Sequence, residues 1–320
     1  MSKAAKIMPE SNKKYRLITR SDMDGLVCGV ILKELGMIDD ITFAHPKDMQ
    51  DGLVDVSEND ITTNLPYVEG VYLAFDHHAS EAERVKGKPE NHVIYPDVPS
   101  AARVVYDYFG GKDALPTISD AMMEAVDKAD SAAFSKDEIL NPQGWELLSF
   151  LMDSRTGLGR FRDFNISNYQ LMMKLIDHCR EHQDIGEILQ LPDVKERVDL
   201  FMEQQEKFKE QILRCGEVHD NLAVLDLRQE ETIWAGNRFM IYALYPQCNI
   251  SIHVIWGKNK QNTVLAIGKS ILDRSSKTHV GHLCLEYNGG GHNAAGTCQI
   301  ENLRAQETLE DITKRINKDG

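Results

Sequence analysis

The chain has 320 residues, of which 42% are hydrophobic and 27% charged, the profile of an ordinary soluble folded protein of about two domains rather than a disordered or fibrous one. Lys+Arg 36 against Asp+Glu 50 leave a net charge of −14, which disfavours a protein that grips long nucleic acid by neutralising phosphates and leaves room for a small anionic ligand. The acid is unevenly spread: residues 1–215 carry 25 basic and 38 acidic side chains (25 − 38 = −13), residues 216–320 only 11 and 12 (11 − 12 = −1).

Residues 1–14 are lysine-rich, lack the apolar stretch of a signal peptide, and read as a flexible start; no apolar run anywhere approaches the length of a bilayer span. The expectation is a cytoplasmic chain with no membrane partner. Its six cysteines are scattered, without a CxxC pair, and read as reduced packing residues. From residue 15 onward the pattern predicts a strand over 15–18, a polar turn Thr19-Arg20-Ser21-Asp22, a helix over about 25–35, strands over 41–44, 61–65 and 71–75, and a helix over 100–109. Strand–loop–helix alternation of this kind predicts an α/β domain with a doubly wound parallel sheet, whose ligands collect at the carboxyl ends of the strands. Residues 119–211 read as mostly helical and end in a polar connecting helix. Four strands are then predicted over 222–227, 239–244, 250–256 and 264–267, followed by a glycine cluster, a short strand and a C-terminal helix over 305–316. The organisation is thus a first domain over 15–190, a connecting helix over 191–215 and a smaller α+β domain over 216–320.

Three motifs carry chemistry. Ser21-Asp22-Met23-Asp24-Gly25 follows a strand and precedes a helix; two carboxylates so spaced can address two neighbouring divalent cations, although the same turn also serves as a plain helix cap. Phe75-Asp76-His77-His78 ends a strand, where alternation turns adjacent histidines to opposite sides, one for a metal and one for a substrate; a strand-end cap with a surface histidine is the structural reading. Gly289-Gly290-Gly291-His292-Asn293-Ala294-Ala295-Gly296 exposes backbone amides to an anion and adds an imidazole, against the simpler reading of a flexible loop.

In this order and on these two domains, the motifs resemble the DHH phosphoesterase superfamily with a C-terminal DHHA1 domain. Asp76-His77-His78 is the name-giving triplet, Asp22/Asp24 the aspartate pair and Gly289 to His292 the GGGH loop; Asn64-Leu65-Pro66-Tyr67 gives the chain the look of the exopolyphosphatase-related members. The resemblance implies a two-metal site, usually Mn2+, with Mg2+ or Co2+ as substitutes. It places His77 on a metal, His78 nearer the phosphate, Asp22 and Asp24 on one ion each, and Asp76 behind a histidine as its orienting group. The last ligand is expected at Asp130, with Asp127 as the fallback. Where many members carry a histidine before the aspartate pair, this chain has Ile18 and Arg20. Where members carry a bridging aspartate, Asn64 holds the strand end, with Asp60 and Asp55 further back; a strand-end position favours Asn64, bridging chemistry favours a carboxylate. Gly290, Gly291 and His292, with the pair Arg274-Ser275, are expected to bind the substrate's phosphate or nucleotide. Arg155, Arg160 and Arg162 form the one basic cluster of the acidic part, read equally as a surface loop.

The leading expectation is therefore a metal-dependent phosphohydrolase that cleaves a terminal phosphodiester or phosphoanhydride of a short oligonucleotide, dinucleotide or polyphosphate. An aromatic content of 7% disfavours a processive single-strand nuclease with stacking platforms. Tyr287 is the candidate shelf for a base. The second expectation is a non-catalytic nucleotide or phosphate sensor on the same scaffold; homodimerisation is open in either case.

Overall fold

In the computed structural model of the chain, residues 7, 13–87, 89–161 and 163–320 are described. They form two compact units. The first comprises residues 1–133, 143–154 and 161–198, and the second residues 134–142, 155–160 and 199–320. The 24-residue helix Pro192–Cys215 begins in one and ends in the other.

The first unit is built on a five-stranded sheet of order β2-β1-β3-β4-β5, formed by β1 (Tyr15–Thr19), β2 (Ile38–Phe43), β3 (Asp60–Thr63), β4 (Leu73–Asp76) and β5 (His92–Ile94). Every pairing is parallel. The central strands β3 and β4 are buried along their whole length, including Asp60 and Asp76 at their ends, so neither shows the alternation of a strand with one face in solvent. Between β1 and β3 the strand order reverses, and a cross-strand hydroxyl pair marks the spot: Thr63 Oγ1 donates to Thr19 Oγ1 at 2.7 Å, and Thr19 Oγ1 to the Thr63 carbonyl at 3.2 Å. Ligands of open α/β sheets bind at such a reversal.

The helix Met23–Glu34 follows β1 and is buried on every side from Met23 to Leu32, as expected of a helix that is apolar all round. Gly25 and Gly29 make that burial work. A Cβ at Gly25 would lie 1.9 Å from the Arg20 carbonyl oxygen, and one at Gly29 would lie 2.8 Å from Ile176 Cδ1 on the helix Asn168–Glu181.

The second unit contains a six-stranded sheet of order β10-β11-β9-β8-β7-β6. Its strands are β6 (Gly216–His219), β7 (Leu222–Asp226), β8 (Ile250–Trp256), β9 (Thr263–Lys269), β10 (Gly290–Gly291) and β11 (Ala295–Ile300). Only β7 and β8 run parallel. The core clusters Leu222, Ile250, Ile252, Val254 and Leu265 with Val280, Cys284, Ile312 and Ile316 from two helices, so one face of the sheet is covered by Val280–Leu285 and Ala305–Asp319.

One predicted strand is corrected. Residues 239–244 are not a strand: Met240–Leu244 is a short helix with all but its last residue buried, and a fully apolar run of that length has no periodicity to tell the two apart. Conversely, β5 and β6 were too short or too polar to read from the sequence. All six cysteines are free thiols, and among the described residues no helix is long and apolar enough to cross a membrane.

Candidate metal centre and phosphate loop

Parallel strands deliver their following loops to one end of the sheet, and the first two motifs sit there. Asp22 and Asp24 follow β1, Asn64 follows β3, and Asp76 closes β4 with His77 and His78 just beyond. Asp24, on the first turn of the helix, is 2% exposed. Its two oxygens accept the amides of Ala101 (3.0 Å) and Ala102 (2.7 Å). Burial, together with Asp130 and Asp22 nearby, holds its carboxyl well above the usual carboxylate range.

His77 is held by a 3.2 Å contact between Nδ1 and the Val98 carbonyl, which sets Nδ1 as donor and leaves Nε2 as the free ligand atom. Nε2 lies 2.8 Å from Asp130 Oδ2. Burial works against charge on this ring, but Asp130, Asp24 and Asp76 outweigh it and raise its pKa to about 9. The ligand atoms of Asp24, His77 and Asp130 lie within 4.8 Å of one another, and so do those of Asp76, His77 and His78. Asp76 Oδ1 meets His78 Nδ1 at 2.7 Å and accepts the His77 amide at 2.8 Å. The two imidazoles do not part to opposite sides: their centroids are 4.4 Å apart, because both residues lie past the end of β4, where strand alternation no longer applies.

The alternatives left open by the sequence occupy different places. Asp60, at the start of β3, is bound by Arg16 at 2.7 and 3.0 Å and by Ser57, and Asp55 offers its carbonyl to the same arginine. Asn64 sits at the strand end with φ 54° and 1% exposure. Asp127 is engaged by Arg103 at 2.6 Å and by Ser100 at 2.7 Å, whereas Asp130, one helical turn on, turns to His77. Asp22 caps the helix through the Gly25 amide at 3.0 Å, and its other oxygen lies 3.1 Å from Arg20 Nε. Arg20 thus pairs with Asp22 from one of the two positions where many DHH members carry a histidine; Ile18, at the other, is fully buried in the core.

The donor set fits a hard divalent cation. Asn64 Oδ1 and Asp76 Oδ2 are buried without a hydrogen-bond partner, a costly state for acceptor oxygens that a coordinated ion relieves. Carboxylates with a single type of nitrogen donor suit Mn2+ or Mg2+ better than a soft metal.

The glycine motif is a tight hairpin rather than an open loop. Gly290 and Gly291 pair with Thr297 and Gly296, and the His292 amide donates to the Ala295 carbonyl at 2.7 Å. A Cβ at Gly289 would lie 2.1 Å from the Thr297 oxygen and one at Gly291 2.3 Å from the Ala295 oxygen, whereas one at Gly290 would meet nothing within 4 Å. The hairpin is tied down by Lys269, whose ammonium donates to Asn293 Oδ1 at 3.0 Å and to the Ser276 carbonyl at 3.1 Å. Through Ser276 this lysine links the hairpin to the segment bearing Arg274 and Ser275; Ser275 Oγ accepts from Asn249 Nδ2 at 3.0 Å. Tyr287 packs partly buried against the core, its hydroxyl bound to Asp311. In the basic cluster, Arg160 packs over Gly157, and Arg162 lies outside the described residues.

No protein-family model and no curated protein matches the chain. Solved structures do. A pGpG-specific phosphodiesterase, PggH from Vibrio cholerae, is 60% identical with a TM-score of 0.85, over 96% of this chain and 100% of that one. The chain belongs to the DHH phosphoesterase family. It is a phosphohydrolase of that family. At 12% identity, the DHH domain of a protein described as a member of a ribosomal-protein family shares the fold with a TM-score of 0.60 over 96% of this chain and 87% of that one. The nuclease RecJ from Thermus thermophilus, solved with Mn2+, does so at 14% identity with a TM-score of 0.52, over 96% of this chain and 52% of that one.

Several parts of this DHH chain's site had no signature in the sequence. The Val98 carbonyl and the Ala101 and Ala102 amides are backbone groups of ordinary residues, visible only once Ser100 starts its helix beside Asp24. Lys269 ends a strand that carries no motif. His279 and His282 stand outside every motif.

Proposed function

We propose that this phosphohydrolase cleaves a short linear guanine dinucleotide of the pGpG type into mononucleotides, with Mn2+ as its metal. The observation that carries this reading is 60% identity across 96% of the chain with a phosphodiesterase of that specificity. The orphaned oxygens at the carboxyl ends of β3 and β4 support the metal assignment.

Asp24, Asn64, His77 and Asp130 would hold the metal, with Asp22 beside them. Bound divalent ions lower the pKa of a coordinated water and stabilise charge on the phosphoryl oxygens. The protein's own contribution is placement. Val98 fixes the His77 tautomer, and the Ala101 and Ala102 amides fix Asp24. Asp76 orients the His78 imidazole through its Nδ1, and His78 is assigned to a phosphoryl oxygen or a leaving group of the substrate. On the second unit, Gly290, Gly291, His292, Arg274 and Ser275 are assigned to the substrate's phosphate and sugar, with Gly290 the point of closest approach.

The test is hydrolysis of pGpG by the purified protein with Mn2+, followed by chromatographic detection of GMP. Activity should disappear in His77→Ala and Asp130→Asn and on chelation. Retention of full activity in both variants would overturn the site, and no GMP from the wild type would overturn the substrate.

A further inference from the structure

We propose that the stacked imidazoles of His279 and His282 are a base platform, receiving a purine of the substrate beside the glycine hairpin. The proposal rests on the dinucleotide reading above and names the group that selects the base.

The two rings lie 3.6 Å apart at 9°, a face-to-face stack. Their geometry is locked from the backbone: His279 Nδ1 accepts the His282 amide at 3.2 Å. Nδ1 being an acceptor, the donor of the His279 ring is Nε2. Both residues are exposed, while Val280, Leu283 and Cys284 of the same helix are buried in the core. The aromatic pair is therefore an outer surface on a fixed support.

Its position links it to the hairpin. The Val280 amide donates to the Asn293 carbonyl at 3.1 Å and the Gly281 amide to the His292 carbonyl at 2.7 Å. His279 and His282 bracket these two amides, one residue away on either side. The approach is close: a Cβ at Gly281 would lie 2.6 Å from the Gly291 oxygen, so Gly281 lets the helix touch the hairpin directly. A base lies one sugar from its phosphate, and the ring pair stands beside the hairpin to which that phosphate is assigned. Histidine rings stack on bases, and a purine presents a larger face to such a platform than a pyrimidine does.

The experiment compares wild type with His279→Asn, His282→Ala and His282→Phe. Asparagine keeps an acceptor for the helix start while removing the ring, so the variant separates capping from stacking; unchanged circular dichroism checks the fold. One readout is KM and kcat on pGpG and pUpU with Mn2+. The other is the fluorescence of a 5′-phosphorylated dinucleotide carrying 2-aminopurine, measured without turnover in Ca2+. The expected result is a rise in KM for pGpG of about tenfold in His279→Asn and His282→Ala, a pGpG/pUpU preference that shrinks with it, and recovery in His282→Phe. The quenching of 2-aminopurine in the wild type should weaken in the same two variants. Unchanged KM and unchanged quenching in both would overturn the platform while leaving the phosphodiesterase reading intact. A wild type that quenches 2-aminopurine through these rings yet releases no GMP would overturn the substrate reading and keep the platform.

Discussion

The three consecutive glycines of the hairpin do different jobs, and substitution separates them. Gly289 and Gly291 are pressed against backbone oxygens and Gly291 has φ 155°, whereas Gly290 faces open space. Gly291→Ala should cost about 1–3 kcal/mol of stability through strain and clash. Gly290→Ala should leave the melting temperature within about 2 °C yet raise KM for the dinucleotide, if a phosphate approaches that backbone. Thermal melting and steady-state kinetics on the two variants make the comparison. At Asn64 the chemistry can be reversed. Asn64→Asp buries a further carboxylate at the end of β3, beside the end of β4 that carries Asp76, so the metal-free protein should lose about 1–3 kcal/mol. The Mn2+-induced rise in melting temperature should grow correspondingly, and an unchanged rise would remove Asn64 from the ligand set.

At the scale of elements, the helix Asp120–Asp130 presents two carboxylates on neighbouring turns to two kinds of partner. Asp127→Asn breaks the Arg103 and Ser100 contacts and should cost about 1–2 kcal/mol with Mn2+ affinity kept. Asp130→Asn should leave the Arg103 and Ser100 contacts in place and lose Mn2+ affinity by calorimetry. Spacing alone puts both on one helical face, and the expectation of Asp130 with Asp127 as the fallback comes from the family pattern; the Arg103 contact that sets Asp127 apart lies on another helix and has no signature in the spacing. The same limit runs through the site. The order of strand, Asp-x-Asp turn, DHH triplet and glycine cluster was readable because each is a short continuous pattern, and the parallel sheet followed from the alternation of strands and helices. The short helix at Met240–Leu244 was not, since five apolar residues suit a buried strand equally well, and neither were the carbonyl and amides that orient His77 and Asp24, which belong to every residue type.

For the whole molecule, pH provides a test away from the metal. Burial, with Arg238 nearby, pushes His253 on β8 down to about 4. Between that value and the ordinary 6.5, the unfolded chain binds a proton that the folded one refuses, so the contribution of this residue is complete above pH 6.5 and is lost as pH falls toward 4. The change amounts to at most about 3 kcal/mol. Urea unfolding followed at pH 7 and pH 4.5 should show a larger drop for wild type than for His253→Gln, and an NMR titration of the His253 ring should place its midpoint well below 6.5.

The helix Met23–Glu34 has one more consequence. Its amides from Leu26 to Leu32 carry buried side chains on all faces, so no local fraying can expose them, and their hydrogen exchange should proceed only through opening of the entire first unit. Asp24 stands on the first turn of that slowest-exchanging segment. The metal centre is therefore anchored at one corner in the part of the chain that opens last. Solvent deuterium should reach the loop amides around His78 long before it reaches the helix behind Asp24.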